Sequence, residues 1–253
     1  VLIVLWTLVP FYSLIVTSIT STGSIGNLLP KQISFRLYYE VFTGTVGEHG
    51  ILRYLKNSLV VCSISTLVVV LIALPCAYSF SRWSSRTSTT LYFGYFILRM
   101  LPPISLLIPW YLIINSLRLK DTYAGLSLVY VVFQLPIGIW LMKGFFDTIP
   151  QALEEAAWVE GATVFQTLRK VVVPLVSNGL SVTSVFVFVY CYIEFMYASV
   201  FSLTRVITLP IYVAGFSNPW ESRFNLMLSA ALISMIPMII LFLLVQRYIV
   251  KGI

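Results

Sequence analysis

Six apolar stretches, each near or above the length that crosses a lipid bilayer, constrain the fold of this chain more than any other feature. A membrane-spanning helix needs about 20 mainly apolar residues. Charged residues make up only 10% of the chain, whereas soluble domains carry roughly 25%. The stretches lie at about 1–18, 56–81, 89–116, 123–146, 173–203 and 224–249. We therefore predict an all-α, polytopic membrane protein with about six transmembrane helices in a single domain that covers 1–253.

The charge balance and the reactive side chains exclude several functional classes. The chain has 16 Lys and Arg against 9 Asp and Glu, but no basic run exceeds two, so we expect contact with lipid headgroups and not with nucleic acid. Its 3 cysteines lie in apolar stretches and its 1 histidine stands alone, which predicts no metal site. The sequence contains no phosphate-binding G-x-x-x-x-G-K-[ST] segment and no hydrolase motif. We therefore expect no enzyme activity and no cofactor on this chain.

A polar segment at 147–172, between two apolar stretches, predicts a short surface helix. Pro150 suits the first turn of a helix, and the acidic Glu154 that follows suits the positive end of the helix dipole. Small alanines at the centre would let a partner approach closely, and Gly161 permits a sharp turn. Such a helix is suited to docking by another protein. Physical reasoning alone leaves open an ordinary amphipathic loop helix.

The same segment resembles a known docking loop. The E-A-A-x3-G-x9-I-x-L-P loop of ABC-importer permeases is similar to Glu155-Ala156-Ala157, followed by Gly161 and then Val171-x-Val173-Pro174. Valine replaces the usual Ile and Leu, which are swaps of similar shape. Other segments resemble the smaller, MalG-type permease subunit of binding-protein-dependent carbohydrate ABC importers, namely 56–59, 77–82, 99–103, 119–126, 144–150 and 246–252.

That resemblance implies an ABC type I importer permease fold and a set of partners. The partners are a second permease that forms a heterodimer, two cytoplasmic ATPase subunits that hold ATP and Mg, and an extracytoplasmic solute-binding protein. The Lys and Arg bias of the loops does not decide the orientation. Only the resemblance places 147–172 in the cytoplasm, beneath a bacterial or archaeal inner membrane. The residues that it implies for coupling to the ATPase are Glu154, Glu155, Ala156, Ala157, Glu160, Gly161, Ala162 and Pro174.

Polar and aromatic side chains inside the apolar stretches are candidates for a translocation pathway. Polar groups are costly in a bilayer and commonly face a cavity or another helix, and aromatic faces suit sugar rings. The candidates are Arg99, Asn115, Gln134, Tyr190, Tyr192, Glu194 and Tyr197. Each also has a structural interpretation, as an interhelical hydrogen bond or as aromatic packing.

The predicted function is ATP-driven import of a carbohydrate by alternating access. The substrate class that the resemblance implies is a di- or oligosaccharide of the trehalose or maltose kind, or a polyol. Two alternatives stay open. One is an ABC permease for glycerol phosphate or another small polar solute. The other is an ion-coupled secondary transporter, which predicts internal inverted repeats, and no clear repeat is present in the sequence.

Overall fold

The computed structural model describes residues 2–20, 33–44, 49–83, 85–217 and 224–250. Within these ranges it does not describe the side chains of 2–5, 96, 98, 99 and 247–250. The pathway candidate Arg99 therefore has a described backbone, at the end of a helix, but its side chain lies outside the described set.

The described chain is built from helices, with an isolated antiparallel bridge between Thr20 and Ile33. The α-helices are α1 (Leu2–Ser18), α2 (Arg36–Thr43), α3 (Ile51–Arg82), α4 (Arg86–Arg99), α5 (Leu107–Ser116), α6 (Tyr123–Asp147), α7 (Ala152–Val159), α8 (Val164–Thr167), α9 (Val173–Leu175), α10 (Ser177–Tyr192), α11 (Met196–Phe201), α12 (Leu209–Gly215) and α13 (Phe224–Val250). A 3-10 turn at Pro103–Leu106 precedes α5, and a π-helical turn at Leu168–Val172 joins α8 to α9. The predicted all-α class is confirmed.

Helices α3, α6 and α10 form the centre of the molecule. α3 and α6 share the most extensive contact among the described helices, and α10 packs against both. Gly138 of α6 permits this approach, because a Cβ atom there would lie 2.7 Å from Cγ1 of Val69 and 3.4 Å from Cβ of Ala73. Gly179 of α10 lies in the same way against the ring of Phe145. Small residues at such crossings let membrane helices pack closely.

Three described helices are long and apolar enough to cross a bilayer, namely Ile51–Arg82, Tyr123–Asp147 and Phe224–Gln246. The pair Val164–Leu175 and Ser177–Tyr192 meets at a bend of 76° and adds a fourth if it forms one broken span. Trp6–Ser18 and Pro103–Ser116 are shorter apolar helices. The membrane class is therefore confirmed for the described residues, whereas the predicted number of six spans is not.

The third predicted stretch, 89–116, is not one continuous helix. α4 ends at Arg99 and α5 begins at Leu107. Pro102 and Pro103 lie between them, and proline both lacks the N–H that a helix needs and disfavours the helical conformation of the residue before it. The two adjacent prolines therefore end one helix and redirect the chain into the next.

The fifth predicted stretch, 173–203, is divided as well. α10 ends at Tyr192 and α11 begins at Met196. In the break, the Glu194 carboxylate accepts a hydrogen bond from the N–H of Tyr197 at 2.9 Å. This bond satisfies one of the donors that the first turn of a helix leaves open. The predicted apolar stretch thus covers both α10 and α11, because its apolar pattern continues beyond the end of α10 and through α11.

Candidate functional site

α7 is a short helix that follows closely on α6, and local sequence signals define its ends. Pro150 lies just before it, and two acidic residues occupy its first turn. Beyond its end, Gly161 has a φ of +85°, a left-handed conformation that glycine adopts without steric cost. α8 then begins with a capping box, in which the Thr163 hydroxyl accepts from the N–H of Gln166 at 3.3 Å and the Gln166 side chain accepts from the N–H of Thr163 at 2.9 Å.

Glu154 anchors α7 to the end of α3. Its side chain is only 1% exposed. The carboxylate accepts a hydrogen bond from the Tyr78 hydroxyl at 2.6 Å and another from Nε of Arg82 at 2.6 Å. Arg82 also donates to the main-chain oxygen of Ile149 at 3.2 Å. A buried carboxylate needs such pairing to offset the loss of its hydration, so these contacts fix the position of α7 against α3.

A second polar link joins α3 to α6 beside the first. The Ser81 hydroxyl donates to one carboxylate oxygen of Asp147 at 2.6 Å, and Nζ of Lys143 donates to the other at 2.7 Å. Arg82 donates to the Ser81 hydroxyl at 3.1 Å. A continuous set of contacts therefore runs from Lys143 to Glu154 and holds the ends of α3, α6 and α7 together.

Much of the remaining surface of α7 faces solvent. Glu155, Ala156 and Glu160 are exposed, and Val159 has 89% of its surface accessible. Gly161 is exposed too, and no atom lies within 4 Å of the position that its Cβ would occupy. The result is an acidic surface with small residues that another protein can approach without obstruction.

A cavity of about 660 Å³ lies between α7, the start of α8 and the end of α3. Its charged lining includes Arg82, Glu154 and Glu155. Its apolar lining includes Trp158 and Val164, which are 44% and 48% exposed. A concave surface that combines apolar side chains with a few placed charges is suited to binding a partner's side chains.

The residues predicted for coupling do not all face solvent. Ala157 and Ala162 are partly buried, and Pro174 is exposed on α9. Glu154 points into the protein although its neighbour Glu155 points out. Glu154 therefore acts by positioning α7, and the outward surface consists of the exposed members of the predicted set.

The sequence prediction did not include Tyr78 and Arg82 in this site. They lie 76 and 72 residues before Glu154 in the chain. The signal that could have identified them is an arginine directly after a membrane span, because a cation at that depth needs water or an anionic partner.

Two of the pathway candidates are packed into the core. The Tyr192 hydroxyl donates to the main-chain oxygen of Ser234 at 2.9 Å. The Tyr197 hydroxyl donates to the main-chain oxygen of Pro103 at 3.4 Å. The Tyr197 ring stacks on Phe133 with centroids 4.2 Å apart. Both hydroxyls are therefore engaged by main-chain acceptors in this structure.

The other candidates lie in different environments. Glu194 caps α11, and its main-chain oxygen accepts from the Tyr130 hydroxyl at 3.3 Å. Gln134 is 8% exposed, and its side-chain oxygen has no hydrogen-bond partner within the described part of the chain. Asn115 and Tyr190 are exposed. Gln134 thus offers a buried acceptor to water or a ligand, and a pathway through these residues stays a prediction.

Residues 69–253 match the protein family described as the binding-protein-dependent transport system inner membrane component. The chain belongs to this family. Among its relatives, the trehalose transport system permease protein SugB of Mycobacterium tuberculosis (strain CDC 1551 / Oshkosh) is 33% identical over 236 residues, which cover 92% of this permease and 85% of SugB. The family resemblance and the inner-membrane location predicted from the sequence are confirmed.

Solved structures show the same fold. A bacterial ABC transporter involved in the import of the acidic polysaccharide alginate has a chain similar to this permease, with a TM-score of 0.80 and 23% identity, covering 98% of this chain and 92% of that one. A bacterial alginate ABC transporter in complex with alginate pentasaccharide-bound periplasmic protein gives a TM-score of 0.74 at 14% identity, covering 96% and 90%. The ABC-importer permease fold is thereby confirmed.

Proposed function

We propose that this permease imports a carbohydrate and that α7 receives the mechanical work of ATP hydrolysis from a partner ATPase. The observation that carries the proposal is the division of α7 into two sides. Glu154 on the inner side is bonded to α3, whereas Glu155, Ala156 and Gly161 are exposed. A helix with one side fixed and the other free can pass a movement of its partner to the helices behind it.

The coupling would proceed as rigid-body motion. When the ATPase subunits close, they would push on the exposed surface of α7. The contacts of Glu154 with Tyr78 and Arg82 would carry that movement to α3, and the extensive packing of α3 on α6 would carry it into the centre of the molecule. Packed helices respond by switching between discrete arrangements, which is the requirement for alternating access.

Partner chains would perform the remaining tasks of transport. A second permease would supply the other half of the pathway, and two ATPase subunits would bind ATP and Mg. An extracytoplasmic solute-binding protein would deliver the substrate. Among the described residues, no group of three His, Cys, Asp or Glu side chains could hold a metal ion.

The substrate class that we propose is a di- or oligosaccharide, with a polyol as a related choice. The support is the relative SugB, whose name describes a trehalose transport system. A permease for glycerol phosphate or another small polar solute is the second candidate, and a phosphorylated substrate would need cations along its path. Membership of a binding-protein-dependent family favours ATP-driven import over the ion-coupled alternative.

Uptake by proteoliposomes that contain the complete transporter tests both parts of this proposal. The liposomes enclose ATP and are given labelled trehalose, maltose, a polyol or glycerol 3-phosphate together with the solute-binding protein. We expect uptake of one carbohydrate that depends on ATP and persists when a protonophore and a sodium ionophore collapse the ion gradients. Uptake that needs an ion gradient, and continues without the ATPase subunits, would contradict the proposal.

A further inference from the structure

A basic pocket lies at the end of the molecule opposite α7. It has a volume of about 330 Å³, and its lining includes Arg53, Lys56, Asn57, Asp121, Tyr123 and Arg205. On α3, Lys56 and Arg82 are separated by about 26 residues, or about 39 Å of helix at about 1.5 Å per residue. That length exceeds the roughly 30 Å of a bilayer's hydrocarbon core. The pocket and α7 therefore lie at opposite membrane surfaces.

Three cationic side chains converge on this pocket from two elements. Arg53 and Lys56 lie one turn apart at the start of α3, and Arg205 lies in the loop after α11. All three are exposed, and none forms an ion pair with another described residue. Like charges repel one another, so a concave surface that collects three cations favours an anionic partner.

The acidic residue of the lining is already engaged with the main chain. The Asp121 carboxylate accepts hydrogen bonds from the N–H groups of Leu203 at 3.0 Å, Arg205 at 2.9 Å and Val206 at 3.2 Å. The Thr204 hydroxyl donates to it at 2.7 Å. Its bonding capacity is thus directed at the loop, and three cations against one carboxylate leave the lining with a net charge of +2.

Buried polar contacts hold the walls of the pocket in place. The Asn57 side chain donates to the main-chain oxygen of Arg205 at 3.2 Å and accepts from the Tyr123 hydroxyl at 2.6 Å. The neighbouring Ser58 hydroxyl accepts from the N–H of Leu209 at 2.7 Å. The bonds to Arg205 and Leu209 use main-chain atoms of the loop and leave the Arg205 side chain free to meet a ligand. A preformed site loses less conformational entropy when it binds.

We propose that this pocket receives the carboxylate of an Asp or Glu side chain on the extracytoplasmic binding protein. The inference rests on the import function proposed above, which places this end of the molecule outside the cell. A carboxylate matches the pocket in charge, and the family is binding-protein-dependent. A chain of the same fold has been solved together with a periplasmic protein. A charge pair at the edge of such an interface would raise the association rate of the two proteins and fix the register in which they dock.

Reversal of two pocket charges tests this assignment. The complete transporter is placed in phosphatidylcholine nanodiscs, and its ATPase rate is titrated with the binding protein that stimulates the wild-type complex. We expect Lys56→Glu combined with Arg205→Glu to raise the half-maximal concentration on the order of tenfold, because like charges would then face each other. The rate at saturation should be retained. Added salt should weaken the wild type more than the variant.

Arg118→Glu is the matched control, because Arg118 is an exposed cation at the same end of the molecule that does not line the pocket. It should titrate like the wild type. An unchanged half-maximal concentration in the double variant would overturn the pocket assignment and leave the import function standing. A defect seen only in nanodiscs that contain phosphatidylglycerol would assign the pocket to a lipid headgroup and overturn it too. Absence of any stimulation of the wild-type complex would instead contradict the import function.

Discussion

Glu154 determines which side of α7 faces the protein, because it is the buried carboxylate that pairs with Arg82. Glu154→Ala leaves that cation without its partner in a site where only 10% of the arginine side chain is exposed. Loss of one member of a buried ion pair costs about 3 kcal/mol or more. We therefore expect a lower melting temperature in detergent and faster proteolysis within 147–172. Glu155→Ala changes an exposed neighbour and should affect neither measurement; equal behaviour of the two variants would refute the anchoring role.

The sequence predicts that Glu154 and Glu155 lie at the start of a helix, but it does not predict which of them faces the protein. Acidic residues after Pro150 predict the start of a helix, since both signals are local. Which of the two faces inward depends on Tyr78 and Arg82, 76 and 72 residues away. Successive residues on a helix differ in direction by about 100°, so only the position of α3 decides between them.

Asp121 is held by the loop that follows α11. Burial raises the pKa of its carboxyl, but hydrogen bonds from the N–H groups of Arg205, Val206 and Leu203 and from the Thr204 hydroxyl outweigh burial and lower the pKa to about 2. Its backbone is left-handed, with a φ of 55°, a conformation that few non-glycine residues adopt. The contacts with the loop therefore hold the 117–122 connection in a conformation that it would otherwise seldom take.

The stability of the protein should depend on the Asp121 charge. The folded pKa lies below the ordinary 3.8, so the ionised carboxylate stabilises the fold at neutral pH, and this contribution is lost as the pH falls from about 4 towards about 2. Asp121→Asn should cost about 1–3 kcal/mol at pH 7 and flatten the acid side of a melting-temperature profile. Glu160→Gln, which neutralises an exposed acid, serves as the control. A profile of Asp121→Asn that overlies the wild type would show that these bonds contribute nothing.

The close contact of α3 with α6 depends on a glycine. A Cβ on Gly138 would lie 2.7 Å from Cγ1 of Val69, whereas one on Gly144 of the same helix would meet no atom within 4 Å. Gly138→Ala should therefore destabilise the fold by about 1–3 kcal/mol through overpacking. Gly144→Ala should be neutral or slightly stabilising, because alanine favours the helix. Thermal unfolding of both variants in detergent measures the difference, and equal melting temperatures would contradict this packing.

The positions at which apolar stretches break into two helices were not predicted from the sequence. Apolar length predicted one stretch at 89–116, but Pro102 and Pro103 divide it into α4 and α5. Prolines within membrane spans do not always break them, as Pro75 inside α3 and Pro136 inside α6 show. The outcome depends on whether neighbouring groups satisfy the freed main-chain carbonyls. Such neighbours come from tertiary packing and are not visible in a sequence window.

For the whole molecule, the sequence predicts the class of fold and the family but not the arrangement of its helices. The apolar stretches predicted a helical membrane protein, because a bilayer requires internally bonded segments of sufficient length. The loop from Glu155 to Pro174 predicted the family that 69–253 match. The network from Lys143 to Glu154 joins α6 and α7 to α3, through partners that lie 66 to 76 residues apart in the chain. Residue spacing alone contains no information about these contacts.

The most direct test of α7 as the docking surface is co-purification of the ATPase with this chain. The tagged permease is solubilised from its native membrane, and the ATPase subunit and its activity are measured in the eluate. We expect Ala156→Trp combined with Glu155→Lys to abolish recovery of the ATPase while the second permease is retained, because both positions are exposed on α7. Ala124→Trp adds the same bulk at an exposed site on α6, at the opposite end, and should recover the ATPase as the wild type does. Full recovery of the ATPase by the α7 variant would contradict the assignment of this helix as the docking surface.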